Sequence, residues 1–192
     1  MPQSFKFHMP NSAPPPLSRS LRFAAPGSWP QPDTGGGPQS MYLMGGLDVD
    51  DVYLSRVSRF DVDEGAWHEA PAMPEARYSA GAAVLEGQIY VAGGKDTEAM
   101  IVASVQRFSP ALGAWEPVAP MPTARCSCVA AALSGKLYVL GGLGVNGQMA
   151  PVERYDPERN EWQVMAPIAR TQFHIACAVL EGMIYVSGGV GG

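Results

Sequence analysis

Charge is scarce in this chain of 192 residues, since Asp, Glu, Lys and Arg make up 16% of it against the roughly 25% usual in soluble domains. What charge there is leans acidic, with 13 basic and 18 acidic residues and a formal net of −5. A phosphate-backbone binder needs a basic face, so nucleic acid is disfavoured as a partner. No apolar run approaches 18 residues, and Met1 to Met9 carry Lys6 and His8 with no apolar stretch behind them. Neither a membrane span nor a secretory signal is read. Cysteine is rare: Cys126, Cys128 and Cys177 cannot all pair within one chain, and no N-x-[ST] acceptor is present. A reducing, cytoplasmic compartment is the expectation.

Gly (22) and Pro (18) are abundant instead, 40 residues of 192, which leaves little room for long helices and disfavours a helical bundle. Nine of the 18 prolines fall within residues 1–40, beside a Gly35-Gly36-Gly37 run. Lys6, Arg19 and Arg22 against Asp33 give that segment +3 − 1 = +2, leaving 10 − 17 = −7 for residues 41–192. Without apolar periodicity it cannot bury enough surface to offset its ordering entropy, so 1–40 is predicted to be a disordered tail. Pro14-Pro15-Pro16 lacks a clean P-x-x-P, which favours a plain tail over a ligand for aromatic-lined grooves.

From residue 41 onward the chain repeats. Gly-Gly pairs stand at 45–46, 93–94, 141–142 and 188–189, separated by 48, 48 and 47 residues. Trp67, Trp115 and Trp162 keep the same step, each 26 residues before the next pair, and Phe60, Phe108 and Tyr155 each precede a tryptophan by seven. Met73-Pro74-Glu75-Ala76-Arg77 recurs 48 residues on as Met121-Pro122-Thr123-Ala124-Arg125. Within one unit, Ser79–Leu85 is an apolar run, Glu86-Gly87 a two-residue turn and Gln88–Ala92 a strand closing on Gly93-Gly94. After a variable loop come Val105–Phe108 and Trp115–Val118, split by Pro110 and Gly113. Four strands per repeat at this period specify an all-β fold of propeller blades.

The Gly-Gly closing a strand such as Lys136–Leu140, the Tyr155-Asp156-Pro157 and Glu161-Trp162 pairing, and the Met-Pro-x-Ala-Arg loops resemble kelch repeats, including those of BTB-kelch proteins, over residues 41–192. The resemblance implies blades of strands a to d, with a innermost, and binding of other proteins through loops on one face. The first unit enters late: Pro32, Asp33, Thr34, Gly35, Gly36 and Gly37 occupy the place of strand a and cannot pack there. Blade one is thus expected to hold b, c and d, and blade four a and b, around two complete blades. Closed kelch rings generally have about six blades, so a truncated or alternatively spliced form, or one completing its ring with another chain, is expected, with self-association through open blade edges.

Double glycines at Gly45, Gly46, Gly93, Gly94, Gly141, Gly142, Gly188 and Gly189 read as structural, allowing positive φ and close approach. The three tryptophans read as core wedges between blades. The loops after each Gly-Gly, Leu47–Leu54, Lys95–Ile101 and Leu143–Ala150, differ in charge and length, which frees them to specify a partner. Their candidate contacts are Asp48, Asp50, Asp51, Lys95, Asp96, Asn146 and Gln148, joined by Arg77, Arg125 and Gln172 of the connecting loops. Both arginines admit a second reading, as buried linkers bonded to loop carbonyls. Together they would make a patch of mixed charge suited to a polar peptide.

No cofactor or metal is expected. Gly142-Leu143-Gly144-Val145-Asn146-Gly147 satisfies G-x-G-x-x-G, but no helix-opening pattern follows, so it reads as a strand connection. Cys126 and Cys128 fall short of the four ligands zinc needs, and the cysteines read as small buried thiols. The expected function is noncatalytic protein binding, which BTB-kelch resemblance extends to substrate recognition for a cullin-based ubiquitin ligase, although cullin-binding regions are absent from this sequence. Alternatives are an actin-binding or other cytoskeletal kelch protein, a sugar-processing or copper-oxidase type of propeller, and a nonfunctional truncated isoform. The oxidase requires Tyr, His and Cys ligands from distant blades, which His174 and Cys177 do not supply.

Overall fold

Short strands joined by tight turns are what the Gly- and Pro-punctuated repeat dictates, and the computed structural model, which describes residues 40–166 and 173–190, contains strands and turns throughout them. Blade one holds β1 (Ser40–Met44), β2 (Val57–Asp61) and β3 (Ala66–Ala70). Blade two holds β4 (Gly81–Leu85), β5 (Gln88–Ala92), β6 (Val105–Ser109) and β7 (Ala114–Val118). Blade three holds β8 (Val129–Leu133), β9 (Lys136–Leu140), β10 (Glu153–Asp156) and β11 (Glu161–Val164), and blade four β12 (Phe173–Leu180) and β13 (Met183–Val190). The sheets accordingly have three, four, four and two antiparallel strands, each strand hydrogen-bonded to its neighbour in sequence. This is the blade count the repeat implies. Ser40, assigned to the tail, is the first residue of β1, while the rest of 1–40 and the Pro32–Gly37 stretch lie outside the described residues.

Local chemistry accounts for the turns. Glu86-Gly87, Ser134-Gly135 and Glu181-Gly182 all have positive φ at both positions, the geometry whose twist matches an antiparallel pair. Pro117 falls on β7, an outermost strand, where a missing N–H disrupts no further ladder. The register repeats with the sequence: Phe60 pairs with Trp67, Phe108 with Trp115 and Tyr155 with Trp162, their rings 5.2, 4.9 and 5.1 Å apart.

Apolar side chains fill the gaps between blades. Val57, Met73 and Val91 pack between blades one and two; Tyr90, Val105, Leu137, Val139 and Tyr155 between two and three; and Ala131, Leu140, Ile175 and Cys177 between three and four. One aromatic contact recurs across the gaps. Tyr42 of β1 meets Phe108 of blade two edge-on at 6.0 Å, and Tyr90 of β5 meets Tyr155 of blade three at 5.8 Å. The tryptophans are half-buried wedges rather than core, because they sit on the outermost strands. Each of two also donates across a gap, Trp115 Nε1 to the Pro71 carbonyl at 2.8 Å and Trp162 Nε1 to the Ala119 carbonyl at 2.7 Å.

A second chain of links runs through Ser79, Ser127 and His174, again 48 and 47 residues apart, all with φ near 56°. Ser127 N–H donates to the Ser79 carbonyl at 2.8 Å, and His174 N–H to that of Ser127 at 3.1 Å, so consecutive blades are joined through backbone.

Gly93-Gly94 shows why the double glycine is needed. Both have positive φ, 65° and 92°; a Cβ on Gly93 would stand 2.5 Å from the Arg125 carbonyl oxygen, and one on Gly94 2.7 Å from that of Tyr78. Gly188-Gly189 differs from the expectation of a pair closing its strand. It lies inside β13, Gly188 paired with Ile175, and a Cβ on Gly188 would meet no described atom within 4 Å. No described connecting loop presses on Gly188, and β13 runs on past it to Val190.

Candidate partner-binding surface at the loop end

Residues Leu47, Lys95 and Leu143 begin three loops that share one backbone. Isolated bridges Leu47–Tyr53, Lys95–Ile101 and Leu143–Met149 close each over the same span, and Asp51, Ala99 and Gly147 take positive φ at the same position. The expected difference in loop length is therefore absent, because the bridge fixes the span. In the first loop Asp48 Oδ1 accepts from the N–H groups of Asp50 and Val52 at 2.9 and 2.8 Å. Asp96 Oδ1 does the same for Glu98 and Met100 at 2.9 and 3.0 Å. The third loop has Gly144 at that place, and Gln148 Oε1 accepts from Asn146 N–H at 3.0 Å instead. Asp48, Asp96 and Gln148 thus spend a side-chain oxygen on holding their loops.

The connecting loops lie between these three. Gly46 N–H donates to the Arg77 carbonyl at 2.8 Å, and the next residue, Tyr78, exchanges two backbone hydrogen bonds with Lys95 at 2.8 and 3.0 Å. One repeat on, Gly94 donates to Arg125, and Cys126 exchanges two with Leu143. Loops of successive blades therefore form one continuous hydrogen-bonded end of the array.

Arg77 and Arg125 do not reach that surface. Their residual exposures are 2% and 0%, so their assignment as exposed partner contacts is withdrawn. Burial displaces both guanidinium pKa values downward, opposed by Glu75 for Arg77 and by Glu153 for Arg125. Arg77 Nη2 donates to Glu75 Oε2 and Ser104 Oγ. Arg125 Nη1 donates to the carbonyls of Gly141 at 3.1 Å and Pro151 at 2.5 Å, while Nη2 lies 2.8 Å from Glu153 Oε2 in an ion contact without hydrogen-bond alignment. Each arginine ties two blades, its carbonyl held by the preceding Gly-Gly and its guanidinium lodged in the blade that follows. Gln172 lies outside the described residues.

Glu153, missed in reading the sequence, is fully buried, and Gln106 one repeat earlier and Ser58 in blade one are buried as well. All three stand two residues before the aromatic of the third strand, so their repeat position was a readable signal.

What remains exposed at the loop end is acidic and apolar. Asp50, Asp51, Glu98, Asn146 and Gln148 are exposed, Asp48, Lys95 and Asp96 half-buried. Among them stand Val49, Val52, Met100 and Val145, with exposures from 54% to 65%. Formal charge falls from −3 in the first loop (Asp48, Asp50, Asp51) to −1 in the second (Lys95 against Asp96 and Glu98) and zero in the third. The patch is acidic rather than mixed, because the arginines that would have balanced it are inside.

Gly142–Gly147 is a strand connection from β9 to β10. Cys126, Cys128 and Cys177 are buried free thiols, and Cys126 and Cys128 precede β8 rather than lying on it. Burial raises the Cys128 pKa and pushes that of Cys177 up to about 11. Among the described residues no three His, Cys, Asp or Glu side chains gather as a metal-holding group, and no helix is long and apolar enough to cross a membrane.

Antiparallel four-stranded sheets in one repeating register, glycine-linked and packed face to face, define an array of β-propeller blades. The family described as the KLHDC2/KLHL20/DRC7 Kelch-repeats domain matches residues 36–192, and the chain belongs to this kelch-repeat family. None of the curated proteins matches the chain. Kelch-repeat domains are protein-interaction modules, generally without catalytic activity.

Proposed function

We propose that this chain is a noncatalytic protein-recognition module, cytoplasmic, whose loop end selects a substrate protein for a cullin-based ubiquitin ligase. The observation carrying the proposal is that three loops of one backbone geometry present different exposed residues: Val-Asp-Asp-Val at 49–52, Thr-Glu-Ala-Met at 97–100 and Val-Asn-Gly-Gln at 145–148. A rigid frame with variable tips is suited to recognition, since its loops need little further ordering on binding. Acidic groups interleaved with exposed Val and Met favour a partner segment that is basic and apolar, and disfavour phosphate or lipid headgroups.

The test is capture from cell extract by the wild-type chain and by a variant carrying Asp50→Lys, Asp51→Lys, Glu98→Lys and Met100→Ser. Proteins held by the wild type should be lost by the variant while its melting temperature stays unchanged. Capture that survives these changes would overturn the loop-end reading. Captured proteins that include actin but whose ubiquitination is unaffected by depleting this chain would favour the cytoskeletal role over the ligase role.

A further inference from the structure

The aromatic contact that recurs between blades leaves two complementary halves unused. In the gaps between blades one and two and between two and three, a tyrosine on the strand that ends at Gly-Gly packs onto a cross-strand row on the next blade. Tyr42 meets Phe108, the middle of the cross-strand row Ile89–Phe108–Trp115, and Tyr90 meets Tyr155, the middle of Leu137–Tyr155–Trp162. These receiving rows are closed: Ile89 and Phe108 are 2% and 1% exposed, Leu137 and Tyr155 0% and 1%.

Blade one carries the same row as Met41–Phe60–Trp67, in the same pairing. Met41 is 40% exposed and Phe60 is only half-buried, with no tyrosine upon them among the described residues. At the other end of the array, blade four carries the donor half. Tyr185 occupies the place of Tyr42 and Tyr90 but is 48% exposed, against 2% for Tyr90, and Leu180 and Met183 beside it are 60% and 51% exposed. That face is turned away from blade three, since Ile175, Cys177, Ile184 and Val186 pack on the side toward it. One end of the array thus exposes the knob and the other the socket of a contact made twice inside it.

We propose that the Tyr185 face of blade four docks onto the Met41–Phe60–Trp67 row of blade one in a second copy of this chain, head to tail. The occupant follows from the pattern: the internal gaps show which residues cover a tyrosine of this kind, and blade one is the described surface that carries them uncovered. The contact is heterologous, so the same two faces remain available at the ends of any dimer, and association continues until the ring closes. It uses blade faces, not the hydrogen-bonding edges of β1 or β13.

Light scattering coupled to gel filtration over a range of concentrations tests this on the full chain. The wild type should rise with concentration above the 20.4 kDa of one chain. Tyr185→Asp and Met41→Asp should each remain monomeric, because each spoils one of the two faces every contact needs. Mixed in equal amounts they should form a dimer and nothing larger, since the first retains a good socket and the second a good knob. Should Tyr185→Asp unfold, Leu180→Asp serves in its place, with circular dichroism confirming strand content. A wild type that stays monomeric overturns the proposal. So does a mixture that fails to dimerise, which would mean like faces meeting or a segment of the same chain covering blade one.

Discussion

Replacing Arg125 by Met removes a charge from the one place in the described array where two fully buried ionic side chains face each other. The Arg125 guanidinium donates to the Gly141 and Pro151 carbonyls and lies 2.8 Å from Glu153, both side chains being 0% exposed. Methionine fills the stem's volume but supplies no donor. Breaking a buried pair by removing one partner costs about 3–5 kcal/mol, chiefly because the remaining charge stays in a low-dielectric site. Two carbonyls losing donors add to this at about 1 kcal/mol each. A loss of about 4 kcal/mol or more is therefore expected in urea unfolding, a large fraction of a domain's stability. Adding Glu153→Leu should recover about 2–3 kcal/mol, because the orphaned carboxylate is then gone. A single-variant loss below 1 kcal/mol would refute the reasoning and restore Arg125 as an exposed contact. No recovery in the double variant would show that the carbonyls, not Glu153, dominate.

Trp115→Ala should cost about 2–3 kcal/mol in the same assay, below the full-burial range because the indole is half-exposed, and Trp115→Phe about 1 kcal/mol for the lost bond to Pro71. Gly93→Ala should cost more than about 3 kcal/mol, combining positive φ with a Cβ 2.5 Å from a carbonyl oxygen, whereas Gly113→Ala, also at positive φ but with its nearest neighbour at 3.9 Å, should cost about 1 kcal/mol. Equal losses in thermal or urea unfolding would remove the close-approach explanation. Cys177, with its pKa pushed up to about 11 from 9.0, should resist Ellman's reagent at pH 8 until the chain unfolds. Because the folded state holds that proton more tightly, stability should fall as pH climbs from about 9 toward 11. A Cys177→Ala variant should lose that part of the pH dependence.

Blade number, strand register and the aromatic-tryptophan pairs were legible from the 48-residue step, because a blade can bury its faces only against copies of itself. Burial of Arg77 and Arg125 was not settled by their own residues. For Arg125 it depends on the Gly141 and Pro151 carbonyls and Glu153, of which just one is a side chain a sequence displays, and for Arg77 on Ser104, 27 residues on, as well as on Glu75 beside it. The half-exposure of the tryptophans follows from the outermost strand, which has a neighbour on one side alone. Equal loop spans were obscured because Asp48 and Asp96 hold their loops by side-chain oxygens where Gly144 uses Gln148, so different residues produce one backbone. Positive φ at Ser79, Ser127 and His174 had no glycine to announce it.

The loop end as recognition surface is tested most directly by photo-crosslinking. A photoreactive residue is placed at Met100, 55% exposed at a loop tip, or at Leu112, 81% exposed in the turn before β7 at the opposite end of blade two. Irradiated in cell extract, the Met100 probe is expected to give discrete adducts that excess unlabelled wild-type chain competes away and the loop-tip variant does not, while the Leu112 probe gives none. Equal adducts from Leu112, or none from Met100 under conditions where the wild type captures protein, would contradict recognition through these loops.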